Sequence, residues 1–206
     1  MIKSQSSKMT DLTQRSQLTG RGARDSERAF MTACLALTFP EQYSESSTTT
    51  RKELCELMTT ADEIVSQVEQ IVDSPAPGDE VLRYAVQILK RERERYNWVG
   101  IYMIERDTLV LHNYLGKPTE HTHIPVGKGV CGVAVAEGAN QIVGDVTRLD
   151  NYLACSVETR SEIVVLIRGG MNILGQIDID SDLENAFTKE DEALLSRVAD
   201  LIARRF

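Results

Sequence analysis

The sequence predicts an α+β protein in which a central antiparallel sheet is flanked by N-terminal and C-terminal helices. Two amphipathic patterns, with apolar residues at three- and four-residue steps, precede the middle of the chain, and a third closes it. Between them the apolar period changes to two, which is typical of strands joined by tight turns. Helices at both ends of a series of hairpin-forming strands indicate an α+β layer protein.

The composition excludes several classes of protein. The 206-residue chain is 42% hydrophobic and 26% charged, which is typical of soluble globular proteins. Its net charge of -8 argues against a nucleic-acid partner, because such proteins need a basic face. No apolar run is long enough to span a bilayer and no signal-peptide core is present, so we expect a cytoplasmic protein without membrane contact. In that reducing compartment, four irregularly spaced cysteines are not a disulfide framework.

The composition also divides the chain near residue 50. Residues 1–50 carry many hydroxyl groups and scattered charges, and the run Ser44–Thr50 cannot build a core, so we predict a disordered extension. The basic first half of this extension faintly resembles a transit peptide, and Met31 is an alternative start. Residues 51–206 form the predicted domain.

Helices are predicted at both ends of this domain. Apolar residues at helical spacing predict the first helix over residues 53–72. Ser74–Gly78 ends it, since two prolines and a glycine cannot continue a helix, and Asp79 is expected to cap a second helix. Thr188 with Asp191 three residues later predicts a capping box that opens the last helix.

Strand-like segments fill the middle of the domain. In chain order the predicted strands are Asn97–Glu105, Thr108–Tyr114, His121–Ile124, Gln141–Gly144, Glu162–Arg168 and Ile173–Asp180. Arg106–Asp107 is the predicted turn of the first hairpin, and Gly169–Gly170 is the predicted turn of the last.

Cys131 lies in a setting that favours reactivity over burial. It follows the glycine-rich run that begins at Ile124, and it precedes a helix-like segment, Val133–Glu137. A thiol in the first turn of a helix lies near the positive end of the helix dipole and near free backbone N–H groups, and both favour the thiolate. Lys128 is close enough in sequence to add to this effect.

Cys155 also lies in a setting that favours thiol chemistry. Its surroundings, Asp150–Ser156, are polar and aperiodic, which indicates a loop over a pocket. Thiolate is the nucleophilic form of cysteine, so two such residues suggest a reactive pair. The alternative is that a free cysteine is a small buried hydrophobe, and this interpretation is preferred for Cys34 and Cys55.

Two carboxylates are predicted to lie side by side on one strand. Asp178 and Asp180 alternate with Ile177 and Ile179, so both should face the same side of the sheet. Close carboxylates raise each other's proton affinity and also attract an ammonium group. Acidic residues near a strand end are often simply solvated, which is the alternative interpretation.

Four separated motifs then point to a known family. The motifs are Asn97–Tyr102, Ile124–Gly132, Ser161–Val164 and Gln176–Asp180. Their sequences and their order resemble the GAF domain, and more narrowly the free methionine-(R)-sulfoxide reductase branch of that fold. The likeness covers the chain from about residue 51 to the C-terminus, so it implies a GAF fold for the predicted domain.

The resemblance implies a thiol-dependent reductase of free methionine-(R)-sulfoxide. In this family the cysteine at the position of Cys155 is the nucleophile that attacks the sulfoxide sulfur, and the cysteine at the position of Cys131 belongs to the redox relay. The implied electron donor is thioredoxin, the implied assembly is a homodimer, and no tightly bound cofactor is needed.

The resemblance also implies a set of substrate-binding residues. Aromatic residues at the positions of Trp98 and Tyr102 box the substrate methyl group. Acidic residues at the positions of Glu162, Asp178 and Asp180 hold the sulfoxide and the ammonium group. For the two aromatic residues the alternative is ordinary core packing, since aromatics at alternate strand positions usually pack inside.

His121 departs from the family pattern, because the family commonly carries a third cysteine there. A disulfide between Cys131 and Cys155 could replace the missing relay if the two residues come within reach. Alternatively, the activity is lost and the domain is a small-molecule sensor. A further alternative is a metal site made of His121, His123, Cys131 and Cys155, with both imidazoles on one side of a strand.

Overall fold

The computed structural model of the protein describes residues 60–149 and 158–206. These ranges contain four α-helices: α1 (Ala61–Val72), α2 (Gly78–Glu92), α3 (Gly129–Glu137) and α4 (Lys189–Ala203). They also contain six strands: β1 (Trp98–Glu105), β2 (Thr108–Leu115), β3 (His123–Pro125), β4 (Gln141–Val143), β5 (Ser161–Gly169) and β6 (Asn172–Ser181). A short 3-10 helix, Val146–Arg148, follows β4.

The six strands form one antiparallel sheet in the order β3-β2-β1-β6-β5-β4. The predicted α+β class, with a central antiparallel sheet and flanking helices, is confirmed. One turn differs from the prediction, because Gly169 pairs with Asn172 and therefore belongs to the β5–β6 ladder. The turn residues are Gly170 and Met171, and the positive φ of 63° at Gly170 explains the glycine at that position.

One face of the sheet packs against α1, α2 and α4. This core takes every second residue of the neighbouring strands β1, β6 and β5, and these residues are all apolar. They are Val99, Ile101, Ile163, Val165, Ile167, Ile177 and Ile179. Burying each of these side chains contributes about 1.5–3 kcal/mol, so a slip of one residue in register would be costly. The intervening residues of the same strands are therefore committed to the opposite face.

The opposite face is covered by α3 and contains a second, smaller apolar cluster. Its buried members are Trp98, Tyr102, Leu109, Ile124, Val130, Cys131, Ala134, Val164 and Leu166. Four polar side chains on the same face of β5 and β6 are also buried: Glu162, Gln176, Asp178 and Asp180. We call this layer of apolar and polar groups the α3 layer.

The first helix begins later than predicted. Thr60 has an extended backbone conformation and caps α1 from its N-terminal side. Its hydroxyl accepts a bond from the Glu63 N–H, and the Glu63 carboxylate accepts one from the Thr60 N–H. The prediction of one continuous helix from residue 53 is therefore wrong, and residues 53–59 lie outside the described ranges.

The other two long helices give one correction and one confirmation. Asp79 does not cap α2, which begins at Gly78; it lies in the first turn, and its hydrogen bonds with His112 and Arg83 hold its pKa below the usual value. The capping box of Thr188 and Asp191 at the start of α4 is confirmed.

Several predictions fall on residues outside the described ranges. They concern the disordered extension at residues 1–50 and the side chains of Cys34, Cys55 and Cys155. These remain predictions. None of the described helices is both long and apolar enough to cross a lipid bilayer.

Candidate functional site

Three buried carboxyl groups meet in the α3 layer. Asp178 and Asp180 share one face of β6, as predicted, because Ile177 and Ile179 are committed to the opposite core. Glu162 on β5 pairs directly with Asp180 across the ladder. All three side chains are at most 4% exposed, so the alternative of solvated strand-end acids does not apply to them.

The α3 helix brings a thiol to these acids. Cys131 lies in the first turn of α3, as predicted. Its side chain is buried, with only 4% exposed, so the prediction of a setting that favours reactivity over burial was wrong in expecting an accessible thiol. The helix can approach closely because Gly132 has no side chain; a Cβ there would lie 2.5 Å from the Pro125 carbonyl oxygen. The Cys131 Sγ donates to Oε1 of Glu162 at 3.8 Å, while Lys128 remains exposed.

Burial makes two of the carboxyl groups hold their protons unusually strongly. Burial, followed by the charges of Asp178 and Asp180, raises the pKa of Glu162 well above its ordinary value. Burial also raises the pKa of Asp178 to about 7, although hydrogen bonds with Cys131 and Glu162 act in the opposite direction. The two groups titrate as a pair. Near neutral pH this pair therefore retains a proton that it can donate to a bound ligand.

The same groups form a compact set of potential ligands. The Cys131 sulfur and one oxygen each of Glu162 and Asp178 lie within 4.8 Å of one another. Together they can bind an ammonium group or protonate an oxygen on a ligand. They are also ligand types that zinc accepts, although metal binding would first require the thiol and both carboxyl groups to lose their protons.

Two aromatic side chains lie in the same layer as the acids. Trp98 pairs with Asp180 across the β1–β6 ladder, and the ring centroids of Trp98 and Tyr102 are 6.4 Å apart. Trp98 also stacks on Tyr114 at 5.4 Å and donates from Nε1 to the Lys117 carbonyl oxygen at 3.1 Å. Both predicted aromatic residues are therefore packed inside the layer, as the core alternative expected. Trp98 is also the strand neighbour of Asp180, whereas Tyr102 pairs with Gln176.

His121 contacts this layer through its backbone. Its carbonyl oxygen accepts a hydrogen bond from the Tyr102 hydroxyl at 2.8 Å, which fixes the phenol ring. The predicted strand was placed too early, since β3 begins at His123, so His121 and His123 do not share one side of a strand. The described residues of the alternative metal site thus lack the predicted geometry, while its fourth member, Cys155, lies outside the described ranges.

Two residues of this layer were not predicted from the sequence. A Cβ at Gly100 would lie less than 3.0 Å from Cη2 and Cζ3 of Trp98, so the indole lies directly over this glycine. A glycine inside a strand pattern is the signal that could have identified it. Gln176 shares the alternation of Asp178, is fully buried, and has no hydrogen-bond partner for either side-chain amide atom among the described residues.

Comparison with known proteins agrees with the architecture. The family model described as the GAF domain matches residues 77–205 of the chain. The free methionine-R-sulfoxide reductase of Escherichia coli (strain K12) is 46% identical over 96 residues, which make up 47% of this chain and 58% of the relative. The matched segment therefore spans less than two thirds of that relative's length.

Solved structures extend the likeness over more of the fold. The type II free methionine-R-sulfoxide reductase from Thermoplasma acidophilum is 39% identical, with a TM-score of 0.61, and the match covers 67% of this chain and 94% of that one. The reductase from Neisseria meningitidis, solved in complex with its substrate, is 31% identical, with a TM-score of 0.67 and coverage of 80% and 95%. The chain therefore belongs to the GAF domain family and, within it, is similar to free methionine-R-sulfoxide reductases.

Proposed function

We propose that this protein reduces free methionine-(R)-sulfoxide to methionine with Cys155 as the nucleophile. The observation that carries the proposal is the buried pair of Glu162 and Asp178, which retains a proton beside the Cys131 thiol. Similarity to free methionine-R-sulfoxide reductases supports the same reaction.

The acids serve the first step because a bare sulfoxide oxygen is a poor leaving group. Glu162 or Asp178 protonates this oxygen while the Cys155 thiolate attacks the substrate sulfur. The sulfur–oxygen bond of the substrate breaks, and the hydroxyl group passes to the Cys155 sulfur. Methionine gains two electrons and leaves, and Cys155 is oxidised by two electrons to a sulfenic acid.

The second step restores the nucleophile through a disulfide. The Cys131 sulfur attacks the sulfenic acid of Cys155, a disulfide forms, and water leaves with the Cys131 proton. Glu162 can accept that proton first, since the Cys131 thiol already donates to its carboxyl group. Thioredoxin would then reduce the disulfide by thiol exchange. This relay requires the two Cα atoms to approach to about 4.4–6.8 Å.

The acidic residues also explain the choice of a free amino acid. An ammonium group can bind to Asp178 and Asp180, while the rings of Trp98 and Tyr102 contact the methyl group. A peptide-bound sulfoxide has no ammonium group on that residue, so its burial would leave the carboxyl groups uncompensated. The homodimer and the thioredoxin donor rest on the family resemblance alone.

The proposal is tested by supplying the purified full chain with dithiothreitol and two sulfoxides of the same configuration. One is free L-methionine-(R)-sulfoxide and the other is the same residue inside a short peptide. Chromatography should detect methionine from the free amino acid and no reduction of the peptide. Comparable rates on both would contradict the proposed recognition. Dithiothreitol reduces a sulfenic acid directly, so the assay does not depend on the Cys131 relay.

The small-molecule sensor remains the second candidate because His121 occupies the position of the third family cysteine. The same assay separates the two functions. Binding of the sulfoxide measured by calorimetry, without formation of methionine, would favour the sensor. Formation of methionine at many turnovers per protein would exclude a purely sensory domain.

A further inference from the structure

We propose that the side-chain amide of Gln176 binds the α-carboxylate of the amino acid substrate. This inference rests on the proposed function and assigns to Gln176 the recognition of one end of the ligand. Its starting point is a buried polar group that the described part of the fold does not satisfy.

Gln176 is fully buried, and neither its amide nitrogen nor its amide oxygen has a hydrogen-bond partner in the described ranges. A buried amide in that state gives up its bonds to water and gains nothing in return, which destabilises the fold. The half-buried amide of Asn140, by contrast, donates to Glu192 and accepts from the Leu166 N–H. The unsatisfied amide of Gln176 therefore indicates a bond that a ligand supplies.

The register of β6 places this amide next to the acids. Gln176 precedes Asp178 by two residues and lies on the same face, opposite Tyr102 and Leu166 of the neighbouring strands. Two residues of strand span about 6–7 Å. An amino acid head group covers a similar interval, since its ammonium and carboxylate atoms are about 3 Å apart and each adds a hydrogen bond of about 2.9 Å. An ammonium on Asp178 therefore brings the carboxylate to Gln176.

Charge and donor supply favour the same orientation. A carboxylate is repelled by Glu162, Asp178 and Asp180, so it needs a donor at the end of the site away from Asp180. The two buried aromatic donors of this face are already used, since Trp98 donates to the Lys117 carbonyl and Tyr102 to the His121 carbonyl. The Gln176 amide has two N–H groups and carries no charge, so it can bind a carboxylate without repelling it.

The test combines a protein substitution with a ligand substitution. Gln176→Met keeps the length of the side chain and removes the amide. Each protein is assayed with dithiothreitol on L-methionine-(R)-sulfoxide and on its carboxamide, which keeps the ammonium group but has no carboxylate. We expect kcat/KM to fall about 10- to 100-fold on the carboxylate substrate, mainly through KM, and to change little on the carboxamide.

Stability provides a readout that an ordinary core residue would not give. Removing an unsatisfied buried amide should raise the Tm of Gln176→Met by about 2–6 °C. The matched control is Gln141→Met, because the Gln141 amide already donates to Glu137 at 3.0 Å. The control should leave kcat/KM unchanged for both ligands.

Equal losses on the carboxylate and carboxamide substrates would overturn the proposed contact. An unchanged KM with a lowered Tm would also overturn it, since Gln176 would then serve only the fold. If Gln176→Met does not fold, Gln176→Asn retains the amide on a shorter side chain and should give an intermediate rise in KM. If the wild-type protein forms no methionine, that result contradicts the proposed function instead. The Gln176 contact is then tested by comparing the calorimetric affinity of the sulfoxide for the wild type and for Gln176→Met. The absence of any binding to the wild type would overturn both proposals.

Discussion

Substituting Gly100 by alanine should displace the tryptophan of the α3 layer. The new Cβ would lie less than 3.0 Å from two carbons of the Trp98 ring, whereas carbon atoms in contact are about 3.5–4.0 Å apart. The indole must therefore move by about 1 Å or more. It has little room to do so, because it stacks on Tyr114 and donates a hydrogen bond from Nε1 to the Lys117 carbonyl oxygen.

The expected cost follows from this packing. Forcing an extra methyl group into a tight core lowers the free energy of unfolding by about 1–3 kcal/mol. The lower backbone entropy of alanine in the unfolded chain offsets about 0.4–1 kcal/mol of this loss. A net loss of about 1–2 kcal/mol lowers the Tm of a domain of this size by roughly 2–8 °C. If Trp98 contacts the substrate methyl group, its displacement should also raise KM by roughly fivefold.

Fluorescence reports the displacement directly, because Trp98 is the only tryptophan of the chain. We expect Gly100→Ala to shift the emission spectrum and to raise KM with dithiothreitol as reductant. The control is Gly169→Ala, where the three atoms nearest to the new methyl group all belong to the flexible side chain of Leu174. An unchanged emission spectrum and Tm in Gly100→Ala would refute the packing argument, and a shifted spectrum with an unchanged KM would remove Trp98 from the substrate site.

Two further predictions concern the acids and the relay. The unfolded Asp178 carboxyl loses its proton near its ordinary pKa of 3.8 and the folded one near 7, so wild-type stability should fall by on the order of 2–4 kcal/mol as pH rises through this range. In Asp178→Asn this loss should be smaller. The difference in free energy of unfolding between Asp178→Asn and the wild type, measured by urea denaturation, should therefore be more favourable to the variant at pH 8 than at pH 5. Parallel pH profiles of the two proteins would contradict the raised pKa. Cys131→Ser should keep activity with dithiothreitol and lose turnover with thioredoxin, both measured by methionine formation. The control, Cys55→Ser, should keep both activities. Equal rates of Cys131→Ser and the wild type with thioredoxin would contradict the relay.

The features that could be predicted from the sequence depend on local patterns. The alternation of Ile177 and Ile179 with two aspartates predicts which face of β6 each side chain occupies, because a strand has a period of two. The spacing of Thr188 and Asp191 likewise predicts a capping box within one helical turn. In both cases the responsible groups are within four residues of each other.

The features that were mispredicted depend on tertiary packing. The sequence places Cys131 at the start of a helix, but which side of that helix faces the sheet depends on the close contact of Gly132 with Pro125. The apolar pattern that ends at Val72 also extends to the N-terminal side of Thr60, although the Thr60 capping box marks the start of α1. Hydrophobic periodicity does not distinguish one long helix from a helix preceded by another apolar segment.

The roles of two residues of the α3 layer could have been inferred from the sequence only if the order of the strands in the sheet had been known. Gly100 interrupts a strand of large apolar residues, and Gln176 stands at a position that alternates with Asp178. Their significance arises because β1 and β6 are neighbours, which places Gly100 opposite Asp178 and Gln176 opposite Tyr102. Pairing between strands so far apart in the chain is not encoded in any short segment.

A single-turnover experiment tests the proposed reductase most directly. The protein is reduced, freed of reductant, and mixed with one equivalent of free L-methionine-(R)-sulfoxide. Methionine is then quantified, and the thiols are mapped by mass spectrometry. We predict about one methionine per protein and a disulfide between Cys131 and Cys155, with neither product in Cys155→Ser. Release of no methionine, with every thiol left unchanged, would contradict the proposed reduction.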